Sequence, residues 1–115
     1  MNHLDVLDQL ARALTAGGVQ ADADPRNLRP PCAWLSPRTL DPNIMAGGTV
    51  GVDVFLIARD NGAIAAHTAL TDLLEKALAV VDADEPIQLD QSVTLSTGGP
   101  LPAYRFRTNI EFCED

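Results

Sequence analysis

The chain has 115 residues, a formal net charge of −8 and a charged fraction of 21%. This length suits one domain with one hydrophobic core, which we expect to span residues 1–115. The acidic balance excludes general affinity for nucleic acid, because phosphate binding requires clustered Lys and Arg. The chain begins without a signal-peptide pattern, and no apolar run is long enough to span a bilayer. We therefore expect a soluble protein that stays in a cytoplasm and has no membrane partner.

The first predicted element is a helix that begins near the N-terminus. Asn2 is its expected N-cap, and Gly17-Gly18 is its expected end. Its apolar residues recur at helical spacing and form one stripe: Leu4, Leu7, Leu10, Ala11 and Leu14. Residues 19–23 then have the composition of a short edge strand.

A proline-rich segment follows, and it contains Cys32 and the only tryptophan, Trp34. Two explanations compete: a loop with a nucleophilic thiol, or a stiff entry to a buried strand. A reactive thiol needs a nearby base, and the two histidines lie in no motif with this cysteine. Pro30-Pro31 restricts the backbone whether or not the thiol reacts. We interpret Cys32 as a structural residue before a short strand at 33–35, with a disulfide to Cys113 left open.

Residues 36–48 are predicted to be a long connection, because they contain two prolines and end in a double glycine. Connections of this length usually carry function or contact a partner. Leu40, Ile44 and Met45 would be exposed in such a loop unless another molecule covers them. We therefore predict that these three residues belong to a subunit or partner interface.

The clearest strand pattern covers residues 49–58. Valines at alternate positions point to one face, and Phe55 and Ile57 point to the other, as in a central strand covered on both faces. Asp60-Asn61-Gly62 breaks this strand, and a helix with one apolar stripe is predicted at 63–81. The acidic residues 82–86 are expected to form a solvated loop, followed by strands at 88–96 and 103–112.

The last strand alternates cleanly between two faces. Tyr104 and Phe106 are expected to pack in the core, while Arg105 and Arg107 lie on the opposite face. We predict that these arginines lie at or near a subunit boundary and meet acidic residues 82–85 of a neighbouring copy. Such a head-to-tail contact closes into rings rather than two-fold dimers. The alternative is that both arginines are merely solvated on an open sheet face.

The order of elements, α-β-β-β-α-β-β, predicts an α+β fold in which two helices pack on one face of a mixed, mainly antiparallel sheet. No residue pattern indicates a metal site, a cofactor site or a catalytic group. His67 borders the stripe of the second helix and is expected to be partly buried and hydrogen-bonded. We therefore expect a protein that is not an enzyme.

Three segments together resemble a known family: the Leu-rich helix ending in Gly17-Gly18-Val19, the stretch from Asp24 to Leu35, and Gly98 to Arg105. They are similar to the tail-terminator and tail-completion proteins of siphophages, especially those of actinobacterial hosts. The resemblance implies a structural virion protein that forms a homo-oligomeric ring, usually a hexamer, between tail tube and head connector. It implies that the ring ends tail polymerisation and docks the tail to the head-tail connector or head-completion protein. DNA would pass through the ring without specific binding, and assembly would occur in the host cytoplasm.

Three alternatives remain open. A neighbouring neck or minor tail component shares these features, and a small cytoplasmic adaptor module could have the same layered fold. A thiol enzyme or small hydrolase using Cys32 is the third alternative.

Overall fold

The computed structural model describes residues 3–43, 47–60, 62–95 and 99–113, apart from the side chains of Asn43 and Cys113. It contains two α-helices, a short 3₁₀ turn and one five-stranded mixed sheet, which confirms the α+β class. The helices are α1 (His3–Ala16) and α2 (Ala63–Leu78). The strands are β1 (Ala21–Asp22), β2 (Cys32–Asn43), β3 (Gly47–Ile57), β4 (Gln88–Val93) and β5 (Leu101–Cys113).

The strand order across the sheet is β1-β2-β3-β5-β4, so the last two strands are exchanged relative to their order in the chain. The short β1 is parallel to β2, and the other neighbouring pairs are antiparallel. The final strand therefore lies beside the most apolar one, β3. β3 has a strand on each side, and its central position agrees with the prediction from its pattern.

The first helix packs differently in detail from the predicted stripe. Its buried residues are Val6, Leu7, Leu10 and Leu14, whereas Leu4 is 61% exposed. Leu4 lies beside a groove between α1 and β1 instead of in the core. The predicted end of the helix is confirmed, because Gly18 has φ +94° and Val19 N–H donates to Leu14 O at 2.9 Å.

The main core lies between the helices and one face of the sheet. Alternate residues of β3 share this core with buried residues of both helices and with Tyr104 and Phe106 of β5. A second, smaller cluster on the helix-free face includes Cys32, Phe55 and Ile57. The predicted two-sided coverage of β3 is therefore confirmed at its C-terminal end.

The predicted long connection at 36–48 is wrong, since most of it belongs to β2. This strand runs to Asn43 and pairs with β3 from Cys32↔Ile57 to Asn43↔Gly47, with a bulge between Pro37 and Thr39. Pairing with β3 gives β2 the backbone hydrogen bonds of a strand, although the sequence of β2 has no regular strand pattern. Ile44 and Met45, two of the predicted interface residues, lie outside the described residues.

The second half of the chain follows the predicted order. The second helix ends at Leu78, three residues before the expected 81, and its fully buried stripe is limited to Ala66, Leu70, Leu73 and Ala77. No helix in the described ranges is long and apolar enough to cross a membrane.

Candidate functional site

Three arginines converge on one buried aspartate on the helix-free face of the sheet. Arg38 Nε donates to Asp53 Oδ2 at 3.0 Å, and Arg107 Nε donates to Asp53 Oδ1 at 3.1 Å. Arg105 NH1 lies 3.9 Å from Asp53 Oδ2. We call Arg38, Asp53, Arg105 and Arg107 the arginine cluster.

The sheet register brings these side chains together. Asp53 pairs with Arg107 across β3 and β5, and Arg105 is opposite Phe55, one alternate position along the same face. Arg38 is the extra residue of the bulge in β2, and the bulge directs its side chain toward the same carboxylate. Each arginine therefore comes from a strand next to β3.

Burial differs strongly between the carboxylate and its partners. The Asp53 side chain is 5% exposed, whereas those of Arg38, Arg105 and Arg107 are 49%, 33% and 26% exposed. A buried carboxylate is tolerated only when cations and hydrogen bonds compensate its lost hydration. Three positive charges and one negative charge leave the cluster with a net charge of +2. The arrangement can hold an anionic group at the surface while Asp53 fixes the guanidinium groups from below.

Gly51 lies on β3 next to the arginine cluster. A Cβ placed there would collide with Thr39 Oγ1 and would lie 3.2 Å from Asn109 Oδ1 and 3.5 Å from Arg107 NH1. The absence of a side chain thus lets polar groups from both neighbouring strands close over the backbone of β3.

The predicted interface residues do not form one group. Arg105 and Arg107 lie on the helix-free face as predicted, and Tyr104 and Phe106 are buried behind them. Leu40 is 48% exposed, but it pairs with Val50, a residue of the main core, and thus lies on the helix side of the sheet. The arginines therefore share their face with Arg38 and not with Leu40.

Sequence reasoning missed both Asp53 and Arg38. Asp53 carried a usable signal, because an acidic residue in the middle of a central apolar strand requires nearby cations. Arg38 carried none, since the segment around it was interpreted as a loop.

The acidic residues 82–85 are attached to the sheet through Asp84, so the segment is not wholly free in solvent. Asp84 N–H donates to Arg107 O at 2.8 Å, and Asp84 Oδ2 accepts from Asn109 N–H at 2.6 Å. Asp82, Asp84 and Glu85 nevertheless remain exposed. We call residues 82–85 the acidic segment; it lies along the outer edge of β5.

Cys32 occupies a buried position in the smaller apolar cluster. Its side chain is free and fully buried, and this burial raises the pKa of the thiol to about 11. A thiol with a raised pKa is a poor nucleophile at neutral pH. The structural interpretation of Cys32 is therefore favoured over a catalytic one.

His67 is hydrogen-bonded as predicted, but its side chain is more exposed than expected. Its Nδ1 lies 2.6 Å from the Tyr104 hydroxyl, and the two rings are tilted with centroids 5.6 Å apart. The contact ties α2 to β5.

The concave surfaces of the described part of the chain offer little catalytic chemistry. One is a groove of about 660 Å³ between α1 and β1, lined by apolar side chains together with Asp8, Arg12, Thr15 and Asp22. In the described ranges, no group of three or more His, Cys, Asp or Glu residues could hold a metal ion. The arginine cluster is thus the best candidate for a functional surface.

Comparisons with family models, with curated proteins and with solved structures found no match for this chain. The function is therefore argued from the site and from the sequence patterns alone.

Proposed function

We propose that this chain is a subunit of a homo-oligomeric ring that caps the tail tube of a siphophage. The ring would end tail polymerisation and present a docking surface to the head connector. In this role the protein is a structural component of the virion neck, assembled in the host cytoplasm, and needs no cofactor or catalytic group.

The observation that carries the proposal is the helix-free face of the sheet. One end of this face carries the smaller apolar cluster, while the other end presents the arginine cluster to solvent. An excess of positive charge on a chain with a net charge of −8 favours contact with an acidic protein surface. A subunit that must attach to copies of itself and to a tube requires such a surface.

The acidic balance also suits a channel for DNA. A wall with little positive charge does not hold phosphates, so DNA could slide past without specific binding. The arginine cluster would then lie at contacts between proteins, away from the channel.

Removal of the gene from the genome that encodes this chain tests the proposal. We expect tails of uncontrolled length and heads without tails in electron micrographs of the lysate. A copy of the gene supplied on a plasmid should restore normal tail length and the joining of tails to heads. Normal tails joined to heads in the deletion strain would refute the proposal.

A different neck or minor tail component is the alternative that the same fold supports. Such a protein would be required for joining heads to tails, but its loss would leave tail length unchanged. A small cytoplasmic adaptor would affect neither, and the same micrographs distinguish the three.

A further inference from the structure

Positive charge exceeds negative charge in the arginine cluster. Arg12, Arg26 and Lys76 each pair with one nearby carboxylate on the surface. In the cluster, by contrast, three guanidinium groups surround the single carboxylate of Asp53. The surface of the cluster therefore attracts an acidic partner.

The acidic segment is a concentration of negative charge on the described surface of the chain. Its three carboxylates are exposed, and the two hydrogen bonds of Asp84 hold it against the edge of β5. Among the described residues, no ion pair joins a carboxylate of this segment to the cluster of the same chain. A segment that is already held in place loses little conformational entropy when it binds.

We propose that the arginine cluster of one copy binds the acidic segment of a second copy. The edge of one sheet would then meet the face of the next, with Arg38 as the principal contact and Asp53 as the residue that positions the arginines. Because the two surfaces differ, the contact is head-to-tail, and its repetition gives a ring or an open helix. This inference rests on the self-association within the proposed function and names the surfaces that produce it.

Pairing of strands at the outer edge of β2 explains self-association less well. Beyond Trp34 this edge has no partner strand within the described residues, and residues 37–42 are exposed. However, Pro37 and Pro42 and the bulge at Arg38 are features that protect an edge against pairing. The charged face is the more suitable surface.

A double-mutant cycle between positions 38 and 85 tests the proposal. The mass of the purified chain is measured by sedimentation at low and high salt for wild type, Arg38→Glu, Glu85→Lys and the double variant. We expect each single variant to weaken association about tenfold, and the double variant to recover most of that loss, because the exchanged charges attract again. The wild-type association should weaken as salt rises.

Matched controls change the same charge elsewhere. Arg12→Glu and Glu75→Lys lie on exposed helix surfaces, and both should associate as wild type does. Melting temperatures show which variants remain folded; if Arg38→Glu does not fold, Arg38→Gln should weaken association in the same direction.

Three outcomes would overturn the inference. One is a wild-type chain that stays monomeric at low salt up to its solubility limit. Another is energetic coupling of position 38 to Glu111 instead of Glu85, which would indicate that like faces meet about a two-fold axis. The third is binding of duplex DNA, lost in Arg38→Glu, without self-association. The assay contains this chain alone, so its failure would leave the tail-length experiment unaffected.

Discussion

Asp53 shows how one residue can decide the character of a whole face. It lies at the centre of β3, where its neighbours on either side, Val52 and Val54, point into the main core. Both carboxylate oxygens accept a hydrogen bond from an arginine, so the charge is compensated although it is buried. In turn, the arginines are held on the sheet surface, where they would otherwise sample many rotamers.

We predict that Asp53→Asn lowers the free energy of unfolding by roughly 1–3 kcal/mol. The substitution keeps the size of the side chain but leaves three guanidinium groups without their shared anion, and the partial exposure of the arginines limits the cost. Urea unfolding followed by the fluorescence of Trp34 measures the change.

Asp72→Asn provides the matched control for that measurement. Asp72 pairs with Lys76 at 3.1 Å on the exposed surface of α2, and its loss should cost no more than ~0.5 kcal/mol. Equal stability of the two variants would show that the cluster around Asp53 adds nothing to folding.

At the scale of elements, the β2–β3 hairpin contributes to the elongated shape of the molecule. Its strands remain paired up to Asn43↔Gly47, and β5 follows β3 along the same length to Cys113. The resulting three-stranded extension contributes to a shape of 49 × 26 × 24 Å. Backbone approach at Gly48 is close, since a Cβ there would lie 2.7 Å from Asp41 O.

Gly48→Ala is expected to destabilise the chain by roughly 1–3 kcal/mol, because the obstructing atom belongs to the backbone of β2 and can move only with the strand. Thermal or urea unfolding gives the magnitude. Gly99→Ala is the control, as a Cβ at Gly99 meets nothing within 4 Å and should change stability by no more than ~0.5 kcal/mol. A Gly48→Ala variant that unfolds like the control would argue against the tight register of this hairpin.

At the scale of the whole molecule, stability should be highest at the centre of the sheet. β3 is paired on both sides and its residues from 50 to 57 are buried, whereas β1 and β4 are short outer strands. Backbone amides that are buried and paired open only when most of the structure unfolds.

Among the five strands of the free chain, hydrogen exchange should therefore be slowest in β3 and fastest in β1 and β4. Amides of β2 that pair with β3 should also be protected, in contrast to the expectation for the long connection that the sequence predicted. On self-association, residues 82–85 and 105–109 should gain protection. Exchange in β4 as slow as in β3, or no gain on association, would contradict this order of stability and the proposed contact.

The sequence by itself determined the elements whose patterns are periodic. The alternation of β3 and β5 fixed their buried faces, helical spacing placed both helices, and Gly17-Gly18 marked the end of α1 at the observed position. These features depend on local geometry, where burial of one face imposes a period of 2 or 3.6 residues.

Only the tertiary structure decided the length of β2 and the composition of the candidate site. The residues from Ser36 to Asn43 have no strand period, and they are extended because β3 offers them a row of hydrogen-bonding groups. Arg38 and Arg107 reach Asp53 from positions 15 and 54 residues away in the chain. Contacts of that kind depend on strand register, which is set by how all the strands pack together and leaves no mark in any one segment.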